Sequence, residues 1–283
     1  MIEIDLMGPT RVSCGGATLA ARGLGGSKQR QVLEILAIEL GNPVSKDSLA
    51  ERLWDDQPPR SYIATLESYV CGLRRRLAAL GRRQVLETTV GGYALDPARV
   101  RVDVVDVRHD LDSQDPAVLA RTLDLRADVL LADDPYAPWA NQERERLSTQ
   151  RARAYVAAAH HANEIGDHVH AIQFAKAAGL ERTWSEPATQ ELMEGLARAG
   201  NHAQALLEYQ NLRAAMRDEL GVEPSPATQA IYMSILCHEE PEPTYDVPIL
   251  LSLLKNALET ATGRAYVGGA GMAELGHMLL ARA

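Results

Sequence analysis

The chain has 283 residues, is 46% hydrophobic and 24% charged, and carries a formal net charge of −9. That length predicts about two domains, each able to bury its own core, and the composition excludes a disordered or collagen-like chain. Three dispersed cysteines (Cys14, Cys71, Cys237) offer neither a disulfide framework nor a CxxC metal pair, and no apolar run approaches the ~18 residues of a membrane span.

The charge is unevenly placed. Residues 1–101 hold 14 Lys and Arg against 11 Asp and Glu, whereas residues 102–283 hold 15 against 27. The N-terminus MIEIDLMGPT alternates like a strand and does not read as a secretory signal, so a reduced, cytoplasmic protein is expected. Short strand runs follow in order: residues 2–6, 11–13 and 17–19, separated by Gly-Pro and Gly-Gly breaks. Ser27 is placed to cap a helix running to Leu40, with Val32, Leu33, Leu36, Ala37 and Leu40 on one stripe, and Gly41-Asn42-Pro43 ends it. Ser45 then caps a short helix over residues 46–54 that buries Leu49 and Leu53.

A third helix opens at Ser61, after the Pro58-Pro59 pair. Residues 58–83 contain six Arg (Arg60, Arg74, Arg75, Arg76, Arg82, Arg83) against a single acid, Glu67. A helical wheel at about 100° per residue puts Leu66, Val70, Leu73, Leu77 and Leu80 in one narrow sector, the core stripe. The opposite sector holds Ser61, Ala64, Ser68, Cys71, Gly72 and Arg75, with Thr65, Tyr69, Arg74 and Arg76 at its margins. Small residues let a helix backbone sink into the major groove of DNA, where an Arg can bond guanine through two hydrogen bonds. Neighbouring Arg side chains reach phosphates and supply the salt-dependent part of affinity. The bland alternative for Arg74–Arg76 is a solvated helix end favoured by the helix dipole. Two strands, 85–88 and 93–95, joined by Thr89-Val90-Gly91-Gly92, then read as a hairpin beside that helix, with Thr88, Thr89 and Arg82 or Arg83 as its candidate contacts.

From about Val102 the strand signals vanish and alanine-rich helical patterns take over. Glu164–Ala171 (EIGDHVHA) recurs as Arg198–Ala205 (RAGNHAQA), an offset of 34 residues that matches the tetratricopeptide period. Gly166 and Gly200 are expected to end the first helix of each pair, with Ala171 and Ala205 at the close helix crossing. Stacked pairs of this kind make a concave surface suited to partners.

These segments resemble known ones. RQVLEILAIELGNPVSKDSLAERLWDDQPPRSYIATLESYVCGLRRRL followed by VLETTVGGYAL resembles an OmpR-like winged helix-turn-helix, in the version found in the Streptomyces antibiotic regulatory protein (SARP) family. LLADDPYAPWANQERERL (130–147) and ALLEYQNLRAAMRDEL with GVEPSP (205–226) resemble the bacterial transcriptional activation domain that follows it in that family. The resemblance implies an α+β winged helix-turn-helix at 1–101, an all-α tetratricopeptide-like activation domain at 102–238, and an unmatched extension at 239–283. It implies a pathway-specific transcriptional activator of a secondary-metabolite (antibiotic) gene cluster, localised to the cytoplasm and nucleoid. Its partners would be double-stranded promoter DNA carrying tandem direct repeats, bound as a head-to-tail homodimer, and RNA polymerase through a sigma factor and the C-terminal domain of the polymerase α chain. The third helix would read the major groove and the hairpin would be the wing. Gly72 and the Val90-Gly91 turn depart from the family pattern, which often carries basic residues there. No receiver domain precedes the winged helix, so an aspartyl-phosphate switch is not expected.

The expected DNA contacts are thus Arg60, Ser61, Thr65, Ser68, Tyr69, Gly72, Arg74, Arg75, Arg76, Arg82, Arg83, Thr88 and Thr89, with Arg75 assigned to base readout. No catalytic motif stands in a supporting context, and neither cofactor nor metal is expected. His168 and His202 are equivalent in the repeat, which favours a structural role at each turn; Trp54, Trp139 and Trp184 read as core anchors, and Asp133-Asp134 as a turn or cap. Beyond a Glu-Glu-Pro-Glu-Pro linker, residues 247–261 read as an amphipathic helix, and Gly268, Gly269 and Gly271 as a turn without the Lys of a phosphate loop. The rival reading is a scaffold or effector-sensing regulator in which the helical-repeat surface is primary and DNA binding is weak.

Overall fold

The computed structural model describes residues 1–55, 57–81, 84–125 and 129–237. Within them, residues 1–235 belong to one compact unit. Arg82, Arg83 and everything expected of residues 239–283 lie outside the described residues.

Alternation decides the first sheet. In β1 (Ile2–Asp5) Ile2 and Ile4 point into the core while Glu3 stays exposed, the period-2 pattern of a half-buried strand. β1 pairs antiparallel with β2 (Arg11–Cys14), which pairs with β3 (Ala17–Ala20). The fourth strand, β7 (Val100–Val102), runs parallel to β1 with Ile2 opposite Val100 and Ile4 opposite Val102. A parallel pair needs a long crossover. Here the crossover contains α1 (Ser27–Ile38), β4 (Val44–Ser45), α2 (Lys46–Trp54), α3 (Tyr62–Ala79), β5 (Leu86–Thr89) and β6 (Gly92–Leu95). A second sheet, ordered β4-β6-β5, closes the helical trio. Neither β4 nor β7 is legible in the sequence; two or three residues carry no periodicity.

The helical part comprises α4 (Asp103–Leu111), α5 (Pro116–Leu125), α6 (Asn141–Glu164), α7 (His168–Glu181), α8 (Glu186–Arg198), α9 (His202–Leu220) and α10 (Pro226–Leu236). The 34-residue repeat is visible bond by bond. Gly166 and Gly200 take φ of +81° and +80°, the left-handed C-terminal cap that glycine adopts without a Cβ penalty. The Asp167 and Asn201 amides then donate to Ala162 O and Leu196 O, both at 2.8 Å. Ala171 and Ala205 are fully buried at the crossings. One difference breaks the symmetry: the Asp167 carboxylate caps α7 through the His170 N–H, while Asn201 makes no side-chain cap bond.

The two parts share a buried seam. Both Asp103 carboxylate oxygens turn back to β1, accepting from the Leu6 N–H (2.8 Å) and the Met7 N–H (3.0 Å). Residues 129–132 hydrogen-bond along the end of β1, with Leu131 N donating to Leu6 O and Ala132 N to Gly8 O. Asp133 accepts from the Thr10 N–H, and Asp134 meets Gln31 and Arg30 of α1. Arg108 joins α4 to Glu143 of α6 (3.0 Å) and to Ile38 O at the end of α1 (3.0 Å). The largest hydrophobic cluster accordingly runs from Ile2 through Leu36 and Leu73 to Leu131, Leu147 and Ala158 without a break.

Three local expectations are corrected. Ser27 is the first helical residue of α1 rather than its cap, which is Gly26 with no side-chain bond. Ser61 occupies the cap position of α3, yet its hydroxyl makes no capping bond. Trp184 is no core anchor: it is 43% exposed, at φ +57° in the α7–α8 loop. Trp54 and Trp139 do pack against the core.

Candidate nucleic-acid interface

The orientation of α3 is set by α1 and α2. Lys28 of α1 donates to Leu53 O at the end of α2. Ser45 caps α2 by accepting from the Ser48 N–H at 3.0 Å. Lys46 pairs with Glu67 (2.7 Å) and the Tyr62 hydroxyl donates to Asp47 (2.6 Å), so the first turn of α2 holds the first half of α3 from two sides. The hydrogen bond to Glu67 pushes the Lys46 pKa up, and that to Asp47 raises the Tyr62 pKa; the first keeps the ammonium charged and the second keeps the phenol protonated.

Leu66, Val70, Leu73 and Leu77 bury one face of α3 against this support. The opposite face presents Ser61, Ala64, Ser68, Cys71 and Arg75, all exposed and spaced about one turn apart. Arg75 makes no hydrogen bond or ion pair to any described residue, and neither does Arg60 at the helix entrance. Both are long cations with every donor available to an outside acceptor.

The hairpin is tighter than its sequence suggests. Thr89 and Gly92 are paired strand residues, leaving Val90-Gly91 as a two-residue turn with Gly91 at φ +80°. Gly92 is required for a different reason, since a Cβ there would stand 2.0 Å from Val44 O, where β4 passes. Arg74 ties the hairpin to α3: its Nε donates to Leu86 O (3.0 Å) and its Nη2 to the Thr88 hydroxyl (2.8 Å). Arg76 turns the other way and donates to Gly23 O (3.0 Å).

Residues 24–95 match the model of the transcriptional regulatory protein C-terminal family, and residues 95–236 match the bacterial transcriptional activator domain. The regulatory protein DnrI of Streptomyces peucetius is 30% identical over 256 residues, covering 83% of this chain and 92% of its own. The chain belongs to the SARP family. The regulatory protein AfsR of Streptomyces coelicolor is likewise 30% identical over 274 residues, 92% of this chain, although the chain spans only 26% of that relative's length. Among solved structures, Mycobacterium tuberculosis EmbR in complex with a low affinity phosphopeptide superposes with a TM-score of 0.73 at 26% identity, covering 83% of this chain and 65% of that one. SARP proteins are transcriptional regulators, and this chain carries the winged helix-turn-helix followed by the helical activator domain.

Within that frame the structure sorts the expected contacts. Arg60, Ser61, Ser68 and Arg75 lie exposed along α3 and its entrance. Thr65 is half-buried and its hydroxyl donates back to Ser61 O (3.1 Å), while Tyr69 is half-buried against the core. Gly72 is a correction: it is buried, and a Cβ on it would come within 2.5 Å of the Gln29 side-chain amide of α1. The Gln29 side chain from α1 covers it, so it does not stand on the outward face with Ser68 and Arg75. Thr89 is a second correction, since its hydroxyl is buried away from solvent, with no partner among the described residues. Arg74 and Arg76 commit donors inside the protein, so they brace the wing and the 3-10 turn at residues 21–24 rather than standing free. The Lys46–Glu67 clamp leaves no trace in the sequence; 21 residues separate the partners and no periodicity links them. Among the described residues no cluster of three His, Cys, Asp or Glu side chains could hold a metal, and no helix is long and apolar enough to cross a membrane.

Proposed function

We propose that this chain is a sequence-specific DNA-binding transcriptional activator of a secondary-metabolite gene cluster, acting in the cytoplasm at the nucleoid, without catalysis. It binds tandem direct repeats as a head-to-tail homodimer and recruits RNA polymerase through a sigma factor and the C-terminal domain of the polymerase α chain. The observation that supports this reading best is the outward face of α3. Ala64, Ser68 and Cys71 allow close approach of the helix to base edges, and Arg75 stands one turn beyond with no hydrogen-bond or ion-pair partner among the described residues. Arg75 reads guanine, with Ser61, Thr65 and Ser68 near the groove floor. Arg60, together with Arg82 and Arg83, meets phosphates. Thr88, which accepts from Arg74 Nη2, is the wing's contact to the duplex.

Selection of bound duplexes from a random library, with the full-length protein at physiological salt, tests it. Enrichment of a short direct repeat supports the reading and gives the half-site spacing. No enrichment from folded protein, with equal affinity for all duplexes, favours the scaffold reading instead.

A further inference from the structure

The helical domain contains a groove of ≈ 530 Å³ that DNA reading does not use. One wall is α6, which contributes Ala152, Val156 and Ala157; the other is the start of α8, with Pro187. His160 of α6 and Glu191 of α8, hydrogen-bonded to each other, line one end of the groove, and Asn163 holds the same carboxylate. This volume lies within the range of small-molecule sites, and its apolar floor with a few polar groups at the rim is their usual chemistry.

The hydrogen-bond inventory of the rim decides what kind of molecule fits. Arg182 is committed to Glu145 and to the Thr149 hydroxyl. The Thr149 hydroxyl in turn donates to Glu145 O, and Ser185 caps α8 through the Ala188 N–H. His160 is taken by Glu191. Arg153 alone among these rim side chains has no partner among the described residues. An extended peptide would need backbone donors and acceptors along the floor, and alanine, valine and proline side chains supply none. A compact apolar body needs only the floor, plus one anion for Arg153. The loop that shapes the mouth is strained: Trp184, next to Ser185, holds φ +57° with its ring partly in solvent, a conformation rarely adopted by a bulky residue.

We propose that the α6–α8 groove binds a small amphipathic organic anion, with its apolar or aromatic body over Ala152, Val156 and Pro187 and its single carboxylate, sulfonate or phenolate at Arg153. The site is separate from the DNA-facing side of α3 and does not depend on how that face is used.

The test uses the full-length protein and two probes, anionic 8-anilinonaphthalene-1-sulfonate and uncharged Nile red, read by fluorescence titration. The expected result is saturable binding of both probes. Arg153→Glu raises the dissociation constant of the sulfonate about tenfold and leaves Nile red within about twofold, because only an exposed ion pair is reversed. Ala157→Trp, which fills the exposed floor, removes both. Should Ala157→Trp perturb the fold by circular dichroism, the charge-reversal arm stands alone, since Arg153 is exposed and has no hydrogen-bond or ion-pair partner among the described residues. Sulfonate binding unchanged in Arg153→Glu, or no saturable binding to the parent protein, overturns the proposal; the second outcome would leave the groove to a macromolecular partner.

Discussion

The winged-helix half and the repeat half pack by opposite means. The first fills its interior with large branched chains, Ile2, Ile4, Leu6, Leu33, Ile35, Leu36, Leu49 and Leu73 among them, all essentially inaccessible. The second brings helices together over alanine: Ala159, Ala171, Ala175, Ala178 and Ala205 line its crossings, with Gly195 against Asn163 and Ala171. Large chains hold elements of different kinds at variable distances. Alanine and glycine let like elements repeat at one short spacing.

The comparison predicts opposite responses to mutation. Leu36→Ala should destabilise by about 3 kcal/mol, the usual cost of lost transfer plus a cavity at a fully buried leucine. At Ala171 enlargement rather than truncation should hurt: Ala171→Leu should cost about 2 kcal/mol by overpacking the α7–α8 crossing. Chemical denaturation of both variants measures this, and equal tolerance of leucine at Ala171 and at an exposed site would break the contrast. On the outward faces the effects concern binding. Arg75→Ala should lose about 1–3 kcal/mol of discrimination between specific and random duplexes. Arg82→Ala should weaken all duplexes alike and lower the salt slope by about one. Equal losses on both kinds of DNA for both variants would refute this division of roles.

The smallest effect is expected at the seam. Glu34 is buried in α1, accepting from the Thr10 hydroxyl (2.6 Å) and from Arg30 Nε (3.0 Å). Burial pushes its carboxyl pKa up, against the pull of Thr10 and Arg30. Burial likewise raises Asp103 and Glu143. A raised acid binds its proton more tightly in the folded state than in the unfolded one. Its contribution therefore favours folding as pH falls from the raised value toward the ordinary carboxylate range, and that gain is absent at neutral pH. Glu34→Gln should thus change stability at pH 7 by no more than about 1 kcal/mol, because burial disfavours the ionised carboxylate there and Arg30 keeps Asp134 (3.9 Å) as its partner. It should also flatten the dependence of the denaturation midpoint on pH between neutrality and the ordinary glutamate range. An unchanged slope would show that Asp103 and Glu143 carry it.

Much of the interface is legible in the sequence. Leu66, Val70, Leu73 and Leu77 recur at helical spacing, so the buried stripe and the exposed face opposite it follow from one periodicity. Wheel geometry misplaces Gly72 because it knows nothing of a second helix: Gln29 arrives from α1 and buries a position that an isolated helix would expose. In the sequence Arg74 is one of three equivalent cations, yet the folded-back hairpin brings Leu86 O and the Thr88 hydroxyl within its reach. Trp184 reads as core because tryptophan usually is; its place in a tight loop between two alanine-packed helices leaves it partly in solvent.

By itself the sequence determined what depends on neighbours along the chain. That covers the three N-terminal strands, the helices with their amphipathic faces, the Ser45 cap, the left-handed glycines and the 34-residue repeat. Tertiary structure alone decided what depends on approach between distant segments. Asp103 accepts from the Leu6 and Met7 amides just past β1, Val100–Val102 completes a sheet begun at Ile2, Arg108 and Glu143 join α4 to α6, and a groove opens between α6 and α8. The physical reason is range. Backbone propensity and hydrophobic period act over a few residues, whereas a buried carboxylate, a three-residue parallel strand or an arginine without a partner is defined only by what the folded chain brings to it.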